Sequence, residues 1–208
     1  MRSHLTRKRL LDAAARILAE ESLSDMSIDR VAACAGLSRR TFFLHFTSKD
    51  QLLSAVLERL RPGQAEIVRR WNDGLAPDLT VEQRIMEMFR KIVAWISDPS
   101  WRGCAFLRVS AEFGERSGHP VHAVAAASYR DMEAWFEQEL RTGGYPAPTV
   151  TARQISVLIK GLLVMQLVHR RRAHGEAALD MLPVVLAAGR TLHQSGNMQP
   201  GKEKTSIT

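Results

Sequence analysis

Apolar positions recur at three- and four-residue intervals along almost the whole chain, and no stretch alternates apolar with polar residues or carries an Asn-Gly hairpin signal. The pattern predicts an all-α fold of about nine helices. A first helix is expected from Thr6 to Glu21, with Leu11, Ala14 and Leu18 on one face, followed by two short helices within 27–46. Ser48-Lys-Asp-Gln51 reads as a capping box opening a fourth helix through Leu52, Val56 and Leu60, which Pro62-Gly63 ends or kinks. After a loop at Gly74 to Pro77, a helix over 82–97 carries Ile85, Phe89, Ile92 and Ile96 at helical spacing, and Asp98-Pro-Ser100 breaks it. Cys104 to Glu115 and Val121 to Thr142 form the next pair. Gly143 to Pro148 then separates a final hairpin of Thr151 to Ala173 and Ala177 to His193, joined at Gly175. The polar residues 195–208 are expected to form a mobile tail, and no internal repeat suggests a solenoid.

Within 27–46 the pattern is that of a helix-turn-helix. Val31, Ala32, Leu37, Phe42 and Phe46 are apolar where one helix would rest on another, and the small Ala32 and Ala35 permit close approach. Gly36 supplies the corner, because a residue without Cβ tolerates the positive φ that such a turn requires. Ser38 can cap the second helix, whose outward face offers Arg39, Arg40, Thr41 and Phe43 to a DNA groove.

The run Ala35-Gly-Leu-Ser-Arg-Arg-Thr-Phe-Phe-Leu-His-Phe-Thr-Ser-Lys-Asp-Gln-Leu52 resembles the amino-terminal signature of TetR-family transcriptional repressors, over roughly residues 5 to 60. The rest of the chain matches that family in length and helical pattern. Two positions depart from it: Phe43 stands where the family usually has Tyr, removing a hydroxyl that could bond phosphate, and Arg40 stands where a small residue is common. The resemblance implies DNA contact by Ser38, Arg39, Arg40, Thr41, Phe43, His45 and Lys49. Arg40 is the better base reader of the two arginines, through guanine O6 and N7. Thr41 can give a hydroxyl to phosphate and a methyl to thymine; Phe43 either meets a thymine methyl or packs beside Phe42; and His45 either donates to phosphate or packs. Lys49 lies in the first turn of helix four, where a cation opposes the helix dipole, so phosphate binding explains it better than helix stability does.

Composition changes this picture little. The chain has 208 residues, 45% of them hydrophobic, and a net charge of +7 that favours polyanions. Met1 to Arg9 is polar and basic and carries no signal-peptide pattern, and the apolar run Ile155 to Val168 is too short to cross a bilayer. A cytoplasmic protein with no membrane partner is expected. The two cysteines, Cys34 and Cys104, form no Cys-x-x-Cys pair, and His119-Pro-Val-His122 lacks further ligands, so neither metal nor cofactor is expected. His169 to His174 is a basic run ending a helix, where cations complement the dipole; a second polyanion patch is the alternative.

The helix containing Ile155 to Val168 is apolar nearly all round, broken only by Ser156, Lys160, Gly161 and Gln166, which marks either a core helix or a subunit interface. The resemblance implies a homodimer built on a four-helix bundle, with Ile155, Leu158 and Leu162 meeting Leu182, Val185 and Leu186. It also places a small-molecule pocket among helices five to eight. Phe89, Trp95, Cys104, Phe106, Phe113, Tyr129, Met132 and Met165 are candidate lining residues, and together they suit an apolar effector. Cys104, after Arg102-Gly103 at a helix start, adds an electrophilic effector if its thiol is activated; otherwise it is a small packing residue. The domains expected are a helix-turn-helix DNA-binding domain at 1–47, a helical effector-binding and dimerisation domain at 48–194, and the tail. The function implied is a ligand-responsive repressor on a palindromic double-stranded operator. The alternatives are a nonspecific DNA binder without effector and a small helical enzyme. The enzyme lacks support from any phosphate loop or nucleophile motif, and Glu112, Glu115 and Glu133 read as ordinary surface carboxylates.

Overall fold

Ser27, Ser38, Ser48 and Thr80 each open a helix by accepting a hydrogen bond from the backbone N–H three residues on. These caps set the boundaries of the amino-terminal half in a computed structural model that describes residues 2–21, 23–114, 116 and 118–192. Among the described residues there are nine α-helices: α1 (Arg2–Glu20), α2 (Ile28–Cys34), α3 (Arg39–Phe43), α4 (Lys49–Asp73), α5 (Val81–Ile96), α6 (Ala105–Glu112), α7 (Pro120–Thr142), α8 (Pro148–His169) and α9 (Arg172–Thr191). A single 3-10 turn, Leu23–Asp25, follows α1.

The first three helices form a small head. α1 lays Leu10, Ala14, Ile17 and Leu18 against α2 and the start of α4. Phe42 and Phe46 fill the centre with rings 5.7 Å apart. Gly36 takes φ +63° at the corner, where an added Cβ would come within 3.0 Å of Arg9 Nη2. Arg9 donates to the Ala35 carbonyl at 2.6 Å, tying α1 to the turn. The remaining helices pack α7 against both α4 and α8, and α8 against α9, with Phe89, Phe136, Leu140, Ile155 and Leu182 at the centre.

Several boundaries differ from the expected ones, each for a local reason. α4 runs on through Pro62 rather than ending there; its far half is held on α7, where Arg61 forks onto Asp131 at 2.7 and 2.9 Å. At its start Ser48 caps as expected, but the Gln51 side chain accepts from the Thr47 N–H at 2.7 Å instead of closing a box on Ser48. The reciprocal box is at Thr80 and Gln83, where the pattern had not indicated one. The last hairpin turns at Arg170, which adopts the left-handed φ of 50°, while Gly175 lies inside α9. A Cβ on Gly175 would stand 2.7 Å from Val93, so that glycine allows α9 to approach α5. α8 starts at Pro148 and spans 22 residues, which with a mean hydropathy of 1.3 is long and apolar enough to cross a membrane, contrary to the shorter span expected; 39% of that window is buried inside the protein. The expected tail, 195–208, and the end of the expected second domain lie outside the described residues.

Candidate nucleic-acid interface and ligand cavity

Ser38 begins the second helix of the helix-turn-helix and fixes its neighbours. Its Oγ accepts from the Thr41 N–H at 3.1 Å and lies 2.9 Å from the Thr41 hydroxyl. Arg39 is held within the head: it pairs with Asp29 at 2.6 Å and sits 5.5 Å from the Phe43 ring centroid. Arg40 is exposed with no ion-pair partner among the described residues. Phe43 is 46% exposed although its ring meets Phe42 edge-on, so the face of α3 presents an aromatic edge to solvent. His45 is half-buried just beyond α3. Lys49 is half-buried, with Nζ 3.4 Å from the Leu23 carbonyl, a long contact that neutralises no charge. The same surface carries Leu44, 75% exposed, which the sequence pattern had not marked.

The second half encloses an apolar cavity with about 70 Å³ open to the centre of a water molecule. α4 contributes Gln64, Ile67, Val68 and Trp71; α5 gives Ile92 and Trp95; α7 gives Tyr129 and Met132; and α8 gives Ser156, Ile159, Lys160 and Leu163. Cys104 closes it at the start of α6. Of the eight residues expected there, Trp95, Cys104, Tyr129 and Met132 line it. Phe89, Phe106 and Phe113 are instead buried in the core, and Met165 is exposed. Helical spacing alone does not distinguish a side chain that fills the interior from one that lines an open space.

Cys104 is 4% exposed. Burial pushes its thiol up from the usual value, and the amides of Leu107 and Phe106 and the Tyr129 hydroxyl only partly offset this. Arg102 does not activate it, being exposed and turned to the Pro99 carbonyl at 3.4 Å. These surroundings disfavour the thiolate that an electrophilic effector would need at Cys104. Cys34, expected only to pack, is half-buried with Arg16 Nη2 2.5 Å from its sulfur.

Side chains from α4 and α6 tie the head to the second half: Arg59 of α4 meets Asp12 and the Lys8 carbonyl of α1. Arg108 of α6 donates to the carbonyls of Leu18 and Glu21. Arg116 pairs with Asp50 of α4 at 2.8 Å, and His119 Nε2 stands 3.5 Å from the same carboxylate. Further out, Arg84 bridges Glu139 and Asn72, holding α5 to α7 and α4.

The residues expected at a dimer interface are mostly spent inside the chain. Ile155, Leu162, Leu182 and Leu186 are buried where α8 meets α9, and Leu158 and Val185 are half-buried. The large apolar residues left open are Val150, Val157, Val164, Met165 and Val168 on α8 and Met181 and Val184 on α9. An all-apolar helix does not reveal from its sequence which side faces inward.

Residues 10–56 match the family model described as bacterial regulatory proteins, tetR family. The chain is 33% identical over 79 residues to the HTH-type transcriptional regulator SrpR of Pseudomonas putida, covering 38% of this chain and 33% of that protein, so the match spans about a third of SrpR's length. It is 21% identical over 188 residues to the HTH-type transcriptional regulator YjdC of Escherichia coli, covering 89% of this chain and 96% of that one. The crystal structure of SCO4454, a TetR-family transcriptional regulator from Streptomyces coelicolor, superposes with a TM-score of 0.76 at 28% identity, covering 89% and 90% of the two chains.

Proposed function

The chain belongs to the TetR family of DNA-binding transcriptional regulators, and from that premise we propose that it is a repressor which holds a palindromic operator as a homodimer and releases it when a small molecule fills the cavity. On this reading residues 1–47 are the DNA-binding head, 48–194 bind the effector and dimerise, and the protein works in the cytoplasm.

The observation that carries the reading is the continuity of α4. Its first turn holds Lys49 and Asp50 beside the head, and its far half supplies Gln64, Ile67, Val68 and Trp71 to the cavity wall. A ligand that displaces the far half moves the head with it. Two heads joined by the open faces of α8 and α9 enter successive major grooves, with Arg40 reading a base edge and Lys49 and His45 on phosphate. Moving α4 changes the distance between them. Operator affinity then falls by the ligand's preference for the displaced state.

Footprinting of genomic fragments by the purified full chain tests this. A protected near-palindrome supports the repressor reading, while protection of all sequences alike identifies a nonspecific DNA binder.

A further inference from the structure

Among the described residues the cavity wall contains a cation and no anion. Lys160 reaches its wall from α8, half-buried, with Nζ 4.7 Å from the centroid of the Tyr129 ring. No aspartate or glutamate lines the cavity, and Lys160 has no ion-pair or hydrogen-bond partner among the described residues. The ring face attracts the ammonium but accepts none of its N–H groups in the way an oxygen would.

Two hydroxyls at the same cavity are buried without a hydrogen bond: Ser156 Oγ and Tyr129 Oη. Ser156 is 4% exposed and lies one turn before Lys160, on the same side of α8. A helical serine commonly returns its hydroxyl to the carbonyl four residues back, and this one does not. The Tyr129 hydroxyl has the Cys104 thiol as its polar neighbour, a weak acceptor, and burial together with that thiol raises its pKa, keeping it protonated. Buried polar groups are ordinarily matched, so the unmatched Ser156 hydroxyl and the Tyr129 hydroxyl with only a thiol beside it, next to the half-buried Lys160 ammonium, call for an acceptor in this space. Apart from Cys104 and Gln64, whose Oε1 accepts from the Ser128 hydroxyl, the rest of the wall is apolar and aromatic, with Trp71 and Trp95 edge-on at 6.5 Å.

We propose that the cavity, taken as the effector site above and resting on that reading, is built for an apolar molecule bearing one carboxylate, which Lys160, Ser156 and Tyr129 bind together while Trp71 and Trp95 cover its body. A neutral apolar ligand would leave the ammonium desolvated and unpaired. A cationic one would be repelled by it. The order of affinity for one carbon skeleton is therefore carboxylate, then alcohol, then amine.

Tryptophan fluorescence of the full chain reads occupation directly, because Trp71 and Trp95 stand in the wall. The probes are 4-phenylbutyrate, 4-phenylbutan-1-ol and 4-phenylbutylamine, titrated into the parent, Lys160→Met and Lys160→Arg. The expected result is at least about tenfold tighter binding of the carboxylate than of the alcohol, as for a charge-assisted hydrogen bond in a partly buried site. Lys160→Met should erase that advantage and leave the alcohol unchanged; Lys160→Arg should keep most of it. Equal binding of carboxylate and alcohol by the parent, or an undiminished carboxylate affinity in Lys160→Met, overturns the carboxylate assignment and leaves the effector cavity standing. No response in fluorescence or thermal midpoint to any of the three probes overturns both.

Discussion

Arg108 reaches from α6 to the Leu18 carbonyl at 2.7 Å, and its second nitrogen meets the Glu21 carbonyl at the same distance. Leu18 lies in the last turn of α1 and Glu21 just beyond it, where carbonyls lack helical partners and a cation is favoured by the dipole. Burial lowers the pKa of Arg108, so the clasp is made at a desolvation cost. Cys104, at the other end of the same short helix, lines the cavity. α6 is thus a second link, beside α4, between the ligand space and the head.

Arg108→Ala leaves two carbonyls at the α1 terminus without their charged donor. The expected loss is about 1.5–3 kcal/mol of stability, read from the urea midpoint, together with weaker operator binding by anisotropy. Parent-like stability and affinity would show that the clasp links nothing.

Arg40 and Arg39 separate the reading of bases from the placing of the helix. Arg40→Ala is expected to cost about 1–3 kcal/mol on the preferred site and to relax base choice at one position per half-site. Arg39→Ala removes an exposed pair with Asp29, worth about 0.2–1 kcal/mol to the fold, and should weaken binding without changing preference. Selection from a randomised duplex library distinguishes them; an unchanged preferred sequence for Arg40→Ala contradicts its assignment.

The two cysteines should react in the opposite order from that suggested by their sequence neighbours. At neutral pH a mild thiol alkylator is expected to modify half-buried Cys34 and to spare Cys104, whose raised pKa keeps it protonated. The shift also fixes a pH dependence. A thiol with a higher pKa folded than unfolded contributes stability that is complete below the unfolded value and is lost as pH rises through the folded one. The urea midpoint of Cys104→Ala should therefore fall less between pH 8 and pH 10 than that of the parent, with intact-mass spectrometry reporting the modification; these pH limits bracket the ordinary thiol value of about 8.5. Faster labelling of Cys104 than of Cys34 would overturn this.

Val157→Asp or Val184→Asp is expected to yield folded monomers, because these side chains are open and apolar. Leu182→Ala, by contrast, cuts the buried contact of α9 with α8 and should cost about 2–5 kcal/mol of protomer stability. Light scattering with circular dichroism separates the two outcomes; a dimer surviving both aspartate variants would place the interface elsewhere.

The head was legible in the sequence because its determinants are local. Gly36 turns the chain and Ser38 caps the next helix within a few residues, so spacing alone locates both. What depends on distant packing was not legible. Gly175 resembled a turn but meets Val93, while the chain reverses at Arg170, a residue with no such signal. Phe89 and Val157 are equally apolar in the sequence, yet one is at the centre and the other faces solvent. Lys160 was visible only as an interruption in an apolar run; its meaning comes from Tyr129, brought opposite it by the packing of α7 on α8.

Release by ligand requires two heads held at a fixed separation. Anisotropy of the footprinted site, with light scattering for stoichiometry, measures it when about five base pairs, half a helical turn, are inserted between the half-sites. The prediction is two copies of the chain on the intact site, an affinity that falls steeply with salt, and loss of binding to the nonspecific level on the expanded site. One copy per site, or equal affinity for the intact and expanded sites, would contradict it.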